Sequence, residues 1–91
     1  MSEHIVCIAS EHKGNEFIEE AHAAGWDVTL VTRQKLLECQ WAWQAITDVK
    51  TVGDDAQPAD YVRAVTNLAG TRTIDRVVGL DEFDVITAAL T

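Results

Sequence analysis

Two short stretches hold the residues best suited to chemistry: Ser10-Glu11-His12-Lys13-Gly14 and Leu80-Asp81-Glu82-Phe83-Asp84. The first places a hydroxyl, an imidazole and an ammonium beside a glycine. Ahead of a helix, Ser10 and Lys13 suit one anionic group, because the first amides of a helix lack internal partners. The stretch is not the three-glycine dinucleotide fingerprint, and no Walker P-loop pattern occurs anywhere in the chain. The competing reading is an ordinary turn, with His12 and Lys13 solvated and Gly14 relieving backbone strain. The second stretch is acidic. Asp81 and Asp84 are what the start of a helix favours. Glu82 has no such duty and suits a substrate ammonium. Carboxylates also suit Mg²⁺, but that ion usually takes phosphate oxygens as well, so no metal site is assigned.

The other reactive side chains form no constellation. His4 opens a strand pattern, His22 falls inside a helical pattern, and neither spacing supports a metal set or a Ser–His–Asp arrangement. No catalytic residue is assigned. Cys7 lies in an apolar run and reads as a small buried hydrophobe. With Cys39 it makes no C-x-x-C pair, so neither a disulfide framework nor a zinc site is supported, and a reducing cytoplasm fits best. Trp26, Trp41 and Trp43 read as core or interface aromatics.

Strand–helix units must position the two stretches. His4-Ile5-Val6-Cys7-Ile8-Ala9 is nearly all apolar, the pattern of a strand buried on both faces of a parallel sheet. A helix over 15–24 follows, with Phe17, Ile18, Ala21 and Ala24 as its apolar face and Gly25 just past its end. Asp27-Val28-Thr29-Leu30-Val31-Thr32 is the second strand, rich in β-branched residues. A short helix is expected over 33–39, with Leu36 and Leu37 inward, and 40–44 has no clear assignment. Asp48-Val49-Lys50-Thr51-Val52 is a third strand, polar enough for a sheet edge.

After a turn at 53–57, Pro58 suits the first position of a helix whose stripe is Tyr61, Val62, Val65, Leu68 and Ala69. Gly70 ends it. A fourth strand spans 74–80, and Asp81 caps a last helix. That helix has no closing Gly, Pro or basic turn. It is expected to be truncated within a longer sequence, with a frayed natural end as the alternative.

Four βα units predict an α/β fold over 1–91, a single Rossmann-like α/β/α domain with a four-stranded parallel sheet. The expected order is 3-2-1-4, with 2-1-3-4 as the alternative. In the first order the strand sequence reverses between strands one and four, where open sheets bind ligands at the strands' carboxyl ends. Ser10, His12, Lys13 and Gly14 then form one lip of a crevice, and Asp81 and Glu82 the other.

Composition narrows the partners. Seven Lys and Arg against fifteen Asp and Glu give a net charge of −8 over 91 residues. Nucleic acid and anionic membrane surfaces both call for a basic face, so neither is expected. No apolar run approaches the ~20 residues of a membrane span, and Met1-Ser2-Glu3-His4 has no basic start of a signal peptide.

The run Ile5-Val6-Cys7-Ile8-Ala9-Ser10, then Lys13-Gly14 and Glu16-Phe17-Ile18, resembles the opening of ATP-grasp proteins of the carboxylate–amine ligase type. Val28 to Thr32 is similar to that family's second strand. The most specific stretch is Ile74 to Val78, Leu80 to Val85 and Thr87-Ala88-Ala89; residues 36–57 match least. The resemblance implies a pre-ATP-grasp domain, a Rossmann-like unit beside two domains that clamp ATP. Such enzymes use ATP and Mg²⁺ to phosphorylate a carboxylate, which an amine then attacks. The family's nucleotide lysines and metal carboxylates belong to those later domains and have no counterpart here. What carries over is cleft lining: Ser10 and Lys13 on one side, Asp81 and Glu82 on the other. The implied partners are the missing ATP-grasp domains. ATP and Mg²⁺ are expected for the parent, with no cofactor in this chain, which alone is expected to be inactive. Two alternatives are a stand-alone flavodoxin-like binding or regulatory domain, including a receiver using Asp54, and a dimerisation module forming a homodimer through a sheet edge and the tryptophans.

Overall fold

A computed structural model describes residues 3–80. The elements run β1 (His4–Ala9), α1 (Asn15–Ala23), β2 (Asp27–Arg33), two 3₁₀ segments (Gln34–Glu38 and Trp43–Ala45), β3 (Asp48–Val52), α2 (Pro58–Ala69) and β4 (Arg76–Gly79). The four strands form one sheet in the order β3-β2-β1-β4, all neighbours parallel. The expected order 3-2-1-4 is therefore formed. The register pairs Ile5 with Val28 and with Arg76, and Thr29 with Asp48.

Burial follows side-chain chemistry. Every residue of β1 is buried, as its apolar run predicts, while β3 exposes Asp48, Lys50 and Thr51 at the sheet edge. Charged edges of this kind discourage further strand pairing. Because side chains alternate along a strand, β1 feeds two cores. Ile5, Cys7 and Ala9 pack with Val28, Leu30, Ile18, Ala21 and Trp41 on one face. Val6 and Ile8 pack with Val31, Tyr61, Val65 and Leu68 on the other. Thus α1 and the 3₁₀ segments cover one face and α2 covers the other. This division is what right-handed crossovers require when the chain steps from β1 out to β3 and then returns across the sheet to β4. Each fully buried Ile, Val or Leu contributes about 1.5–3 kcal/mol.

Several local expectations are corrected. The short helix expected over 33–39 is a 3₁₀ helix spanning Gln34–Glu38, and a second 3₁₀ turn, Trp43–Ala45, takes the end of the unassigned stretch. In α1 only Ile18 and Ala21 are buried; Phe17 and Ala24 are exposed, as is Ala69 in α2. A helix lying on a sheet buries a narrower stripe than its apolar residues alone indicate. The fourth strand is shorter than expected, with Ile74 and Asp75 before it and Leu80 after it. Pro58 does start α2, helped by a reciprocal capping box between Gln57 and Asp60. The last helix, from Asp81, falls outside the described residues.

At the sheet's amino edge His4 is 1% exposed, a burial that its position at a strand start did not foretell. Its Nδ1 lies 2.9 Å from the Thr73 carbonyl, and its Nε2 lies 2.6 Å from Thr29 Oγ1. A carbonyl only accepts, so Nδ1 carries the proton and, in the neutral ring, the Thr29 hydroxyl donates to Nε2. The His4 amide donates to Asp75 Oδ2 at 2.7 Å, and the Asp75 amide donates back to the His4 carbonyl at 2.9 Å. Arg72 and Asp27 pair beside this network.

Candidate functional site

The strand order reverses between β1 and β4, so the crevice lies at their carboxyl ends. Ser10 follows β1 directly and is 5% exposed, whereas Glu11, His12 and Lys13 are exposed. Gly14 turns the chain into α1 with φ +93°. That left-handed backbone favours glycine, and sterics add to the demand: a β-carbon here would lie 2.8 Å from Leu80 Cδ1. The Leu80 amide continues the β1–β4 ladder by donating to the Ile8 carbonyl at 2.9 Å. Leu80 thereby lies against Gly14 at the carboxyl ends of β1 and β4.

A depression of about 320 Å³ is lined by His12, Lys13, Gly14, Asn15 and Glu16. Among the described residues no side chain caps the N-terminus of α1, whose N-cap residue is Gly14 and so has none to offer, and Asn15 in the first helical position is engaged elsewhere. Asn15 Nδ2 donates to the Gln40 carbonyl at 2.9 Å, and its Oδ1 accepts from the Ala42 amide at 3.0 Å. His12 Nε2 donates to the same Gln40 carbonyl at 3.0 Å, and its ring meets Trp41 edge-on with centroids 4.7 Å apart. Trp41 is itself held by Nε1–H donating to the Leu36 carbonyl at 2.9 Å. The stretch 40–42, unassigned by periodicity, therefore braces the first lip. His12 is anchored rather than freely solvated. The signal available for this was the pair of tryptophans in an otherwise unpatterned segment.

Of the residues named from sequence, Ser10, His12, Lys13 and Gly14 are gathered on one loop. Asp81 and Glu82 lie outside the described residues. The electrostatics are mixed: Lys13 and the positive end of the α1 dipole favour an anion, while Glu11 and Glu16 oppose one. A single carboxylate or phosphate oxygen group is the most this loop could hold. Among the described residues no group of three His, Cys, Asp or Glu side chains is placed to hold a metal ion, and no helix is long and apolar enough to cross a membrane.

A second depression, about 340 Å³, lies between β3 and α2 and includes Thr51, Gly53, Asp55, Asp60 and Arg63 in its lining. It is slightly larger but sits at the edge of the sheet, away from the reversal of strand order. The smaller depression is the better candidate because it lies at the turn from β1 into the start of α1, beside the reversal of strand order. Asp54 is also at this edge, and its Oδ1 accepts from the Lys35 amide at 2.7 Å. Cys7 sits beneath the crevice in β1, where burial pushes its thiol up to about 12. It is thus inert as a nucleophile at neutral pH.

No protein-family model matches the chain, and no curated protein matches it in sequence.

Proposed function

We propose that this domain forms one wall of the substrate cleft of an ATP-dependent carboxylate–amine ligase of the ATP-grasp type and is not catalytic by itself. The observation that carries this reading is the β3-β2-β1-β4 sheet with its crevice at the β1–β4 junction, where the Gly14 turn and Leu80 meet. The proposal gives Ser10, Lys13 and the first amides of α1 an anionic substrate group to contact, and assigns a cationic one to Asp81 and Glu82. ATP and Mg²⁺ would be held by separate ATP-grasp domains, which supply the charge neutralisation for acyl-phosphate formation. The interior of the described domain is apolar on both faces of the sheet, which suits a supporting wall.

The test is isothermal calorimetry of the 91-residue protein with Mg-ATP, together with the reading frame that follows codon 91. No measurable binding, and an ATP-grasp region encoded downstream, are the expected results. Tight stoichiometric Mg-ATP binding by this chain alone would overturn the proposal. A second reading, a dimerisation module, is favoured by one observation: Trp43 and Phe17 are 41% and 37% exposed. Sedimentation equilibrium separates the two, since a concentration-independent monomer removes the second.

A further inference from the structure

The β3–α2 loop, 53–57, is fastened differently from the rest of the molecule. Only Ala56 of its five residues is buried. Its hold on the domain is therefore chiefly polar, and it runs through one side chain at the end of β2. Arg33 donates from Nε to Tyr61 Oη at 3.1 Å, from one terminal nitrogen to the Asp54 carbonyl, and from the other to the Ala56 carbonyl at 3.4 Å. The guanidinium pairs with neither Asp54 nor Asp55 through a carboxylate. Asp54 instead turns its carboxylate to the Lys35 amide, capping the first 3₁₀ segment. Two fastenings thus run in opposite directions between the same two segments: Arg33 from the 3₁₀ side onto the loop, and Asp54 from the loop onto the 3₁₀ side. At the far end the Gln57–Asp60 capping box ties the loop to α2.

We propose that the Arg33–Asp54 clasp makes residues 53–57 a strap that opens together with Gln34–Glu38, ahead of any unfolding of the sheet. Gly53, Asp55 and Ala56 also line the depression between β3 and α2, so opening the strap removes one wall of that depression. The motion belongs to the class of local openings that cost less than global unfolding, because Ala56 is the one buried residue of the two segments and Leu36 is only partly buried against the core. This inference does not depend on the ligase reading.

Amide hydrogen exchange tests it through cross-readouts. In Arg33→Gln the Lys35 amide keeps its own acceptor, Asp54, yet its exchange is expected to quicken by about ten-fold or more, the scale of losing hydrogen bonds from a charged donor. In Asp54→Ala the Ala56 amide keeps its bond to the Gly53 carbonyl, yet it is expected to quicken likewise. The double variant should add little to either single one. Amides of β1, such as Val6 and Ile8, should keep their wild-type rates. If each substitution loosens only the segment it touches, or if β1 quickens equally, the coupled strap is wrong. Should Arg33→Gln fail to fold, Arg33→Lys makes the same test, since it keeps the charge but cannot fork to three acceptors.

Discussion

The two edges of the sheet are finished in opposite ways. At the amino edge His4 is sealed from water, both ring nitrogens are engaged, and Asp75 and His4 bond to each other twice. At the carboxyl edge the turn into α1 has no side-chain cap, Glu11, His12 and Lys13 are exposed, and open depressions lie beside both helices. The difference shows where this fold seals its polar groups and where it leaves them exposed. Polar groups buried at the amino edge have to pair internally, because an orphan there costs about 1–3 kcal/mol. The exposed ones at the carboxyl edge lie within reach of water or a ligand, even where, as with His12, they also bond within the protein.

The contrast can be broken most severely at His4. His4→Ala leaves a cavity and orphans both the Thr73 carbonyl and the Thr29 hydroxyl. A loss of about 3–4 kcal/mol is expected, read as a lower urea midpoint at unchanged slope. A shift under about 1 kcal/mol would mean that the amino edge tolerates unpaired groups and that the contrast is false.

The next largest effect sharpens the contrast at Gly14. Gly14 and Gly25 both have positive φ, +93° and +91°, but a β-carbon on Gly25 meets nothing within 4 Å whereas one on Gly14 strikes Leu80. Gly25→Ala is expected to cost about 1 kcal/mol for backbone strain alone. Gly14→Ala should cost about 2 kcal/mol or more, because overpacking adds to the strain. In the Leu80→Ala background the extra penalty at Gly14 should shrink. Equal costs at the two glycines in thermal denaturation would show that Leu80 does not lie against Gly14.

The smallest effect concerns Cys7, between the two edges. Its folded thiol is raised to about 12 by burial, above the ~8.5 of an exposed thiol. Below about pH 8.5 both states hold the proton and stability is whole. Above it the unfolded chain releases the proton while the folded chain keeps it, so stability falls as pH rises towards 12, by about 1.4 kcal/mol per unit. Chemical denaturation from pH 8 to 10 should show a shallower decline for Cys7→Ala than for wild type. Identical slopes would mean that Cys7 is open to solvent in the folded state.

Much of this architecture was legible in the residues. The unbroken apolar run of β1 implied a central strand, the polar composition of β3 implied an edge, and Gly25 and Pro58 marked a helix end and a helix start. How far a strand is buried is a property of the local pattern, so a polar β3 at the edge favoured the order 3-2-1-4 over 2-1-3-4, and the sheet takes the favoured order. The Ser10–Gly14 lip was legible for the same reason, since a turn after a buried parallel strand has to lie at the carboxyl edge. The pattern failed in the stretch 34–45, where 3₁₀ turns have no apolar period long enough to detect, and on the flanks of α1, where Phe17 reads as core but is exposed.

Composition and periodicity by themselves therefore determined the fold class and the parallel sheet, because each depends on which short segments must leave water, while the choice between two strand orders, and with it the β1–β4 crevice, came from the packed sheet. Tertiary structure alone decided that His4 seals the amino edge, that Trp41 and Gln40 brace His12, and that Arg33 holds the loop before α2. Those are single contacts between segments far apart in the chain, up to 71 positions between His4 and Asp75. Their partners depend on the packed geometry of the sheet, and no local alternation of side chains encodes which distant oxygen a given donor will meet.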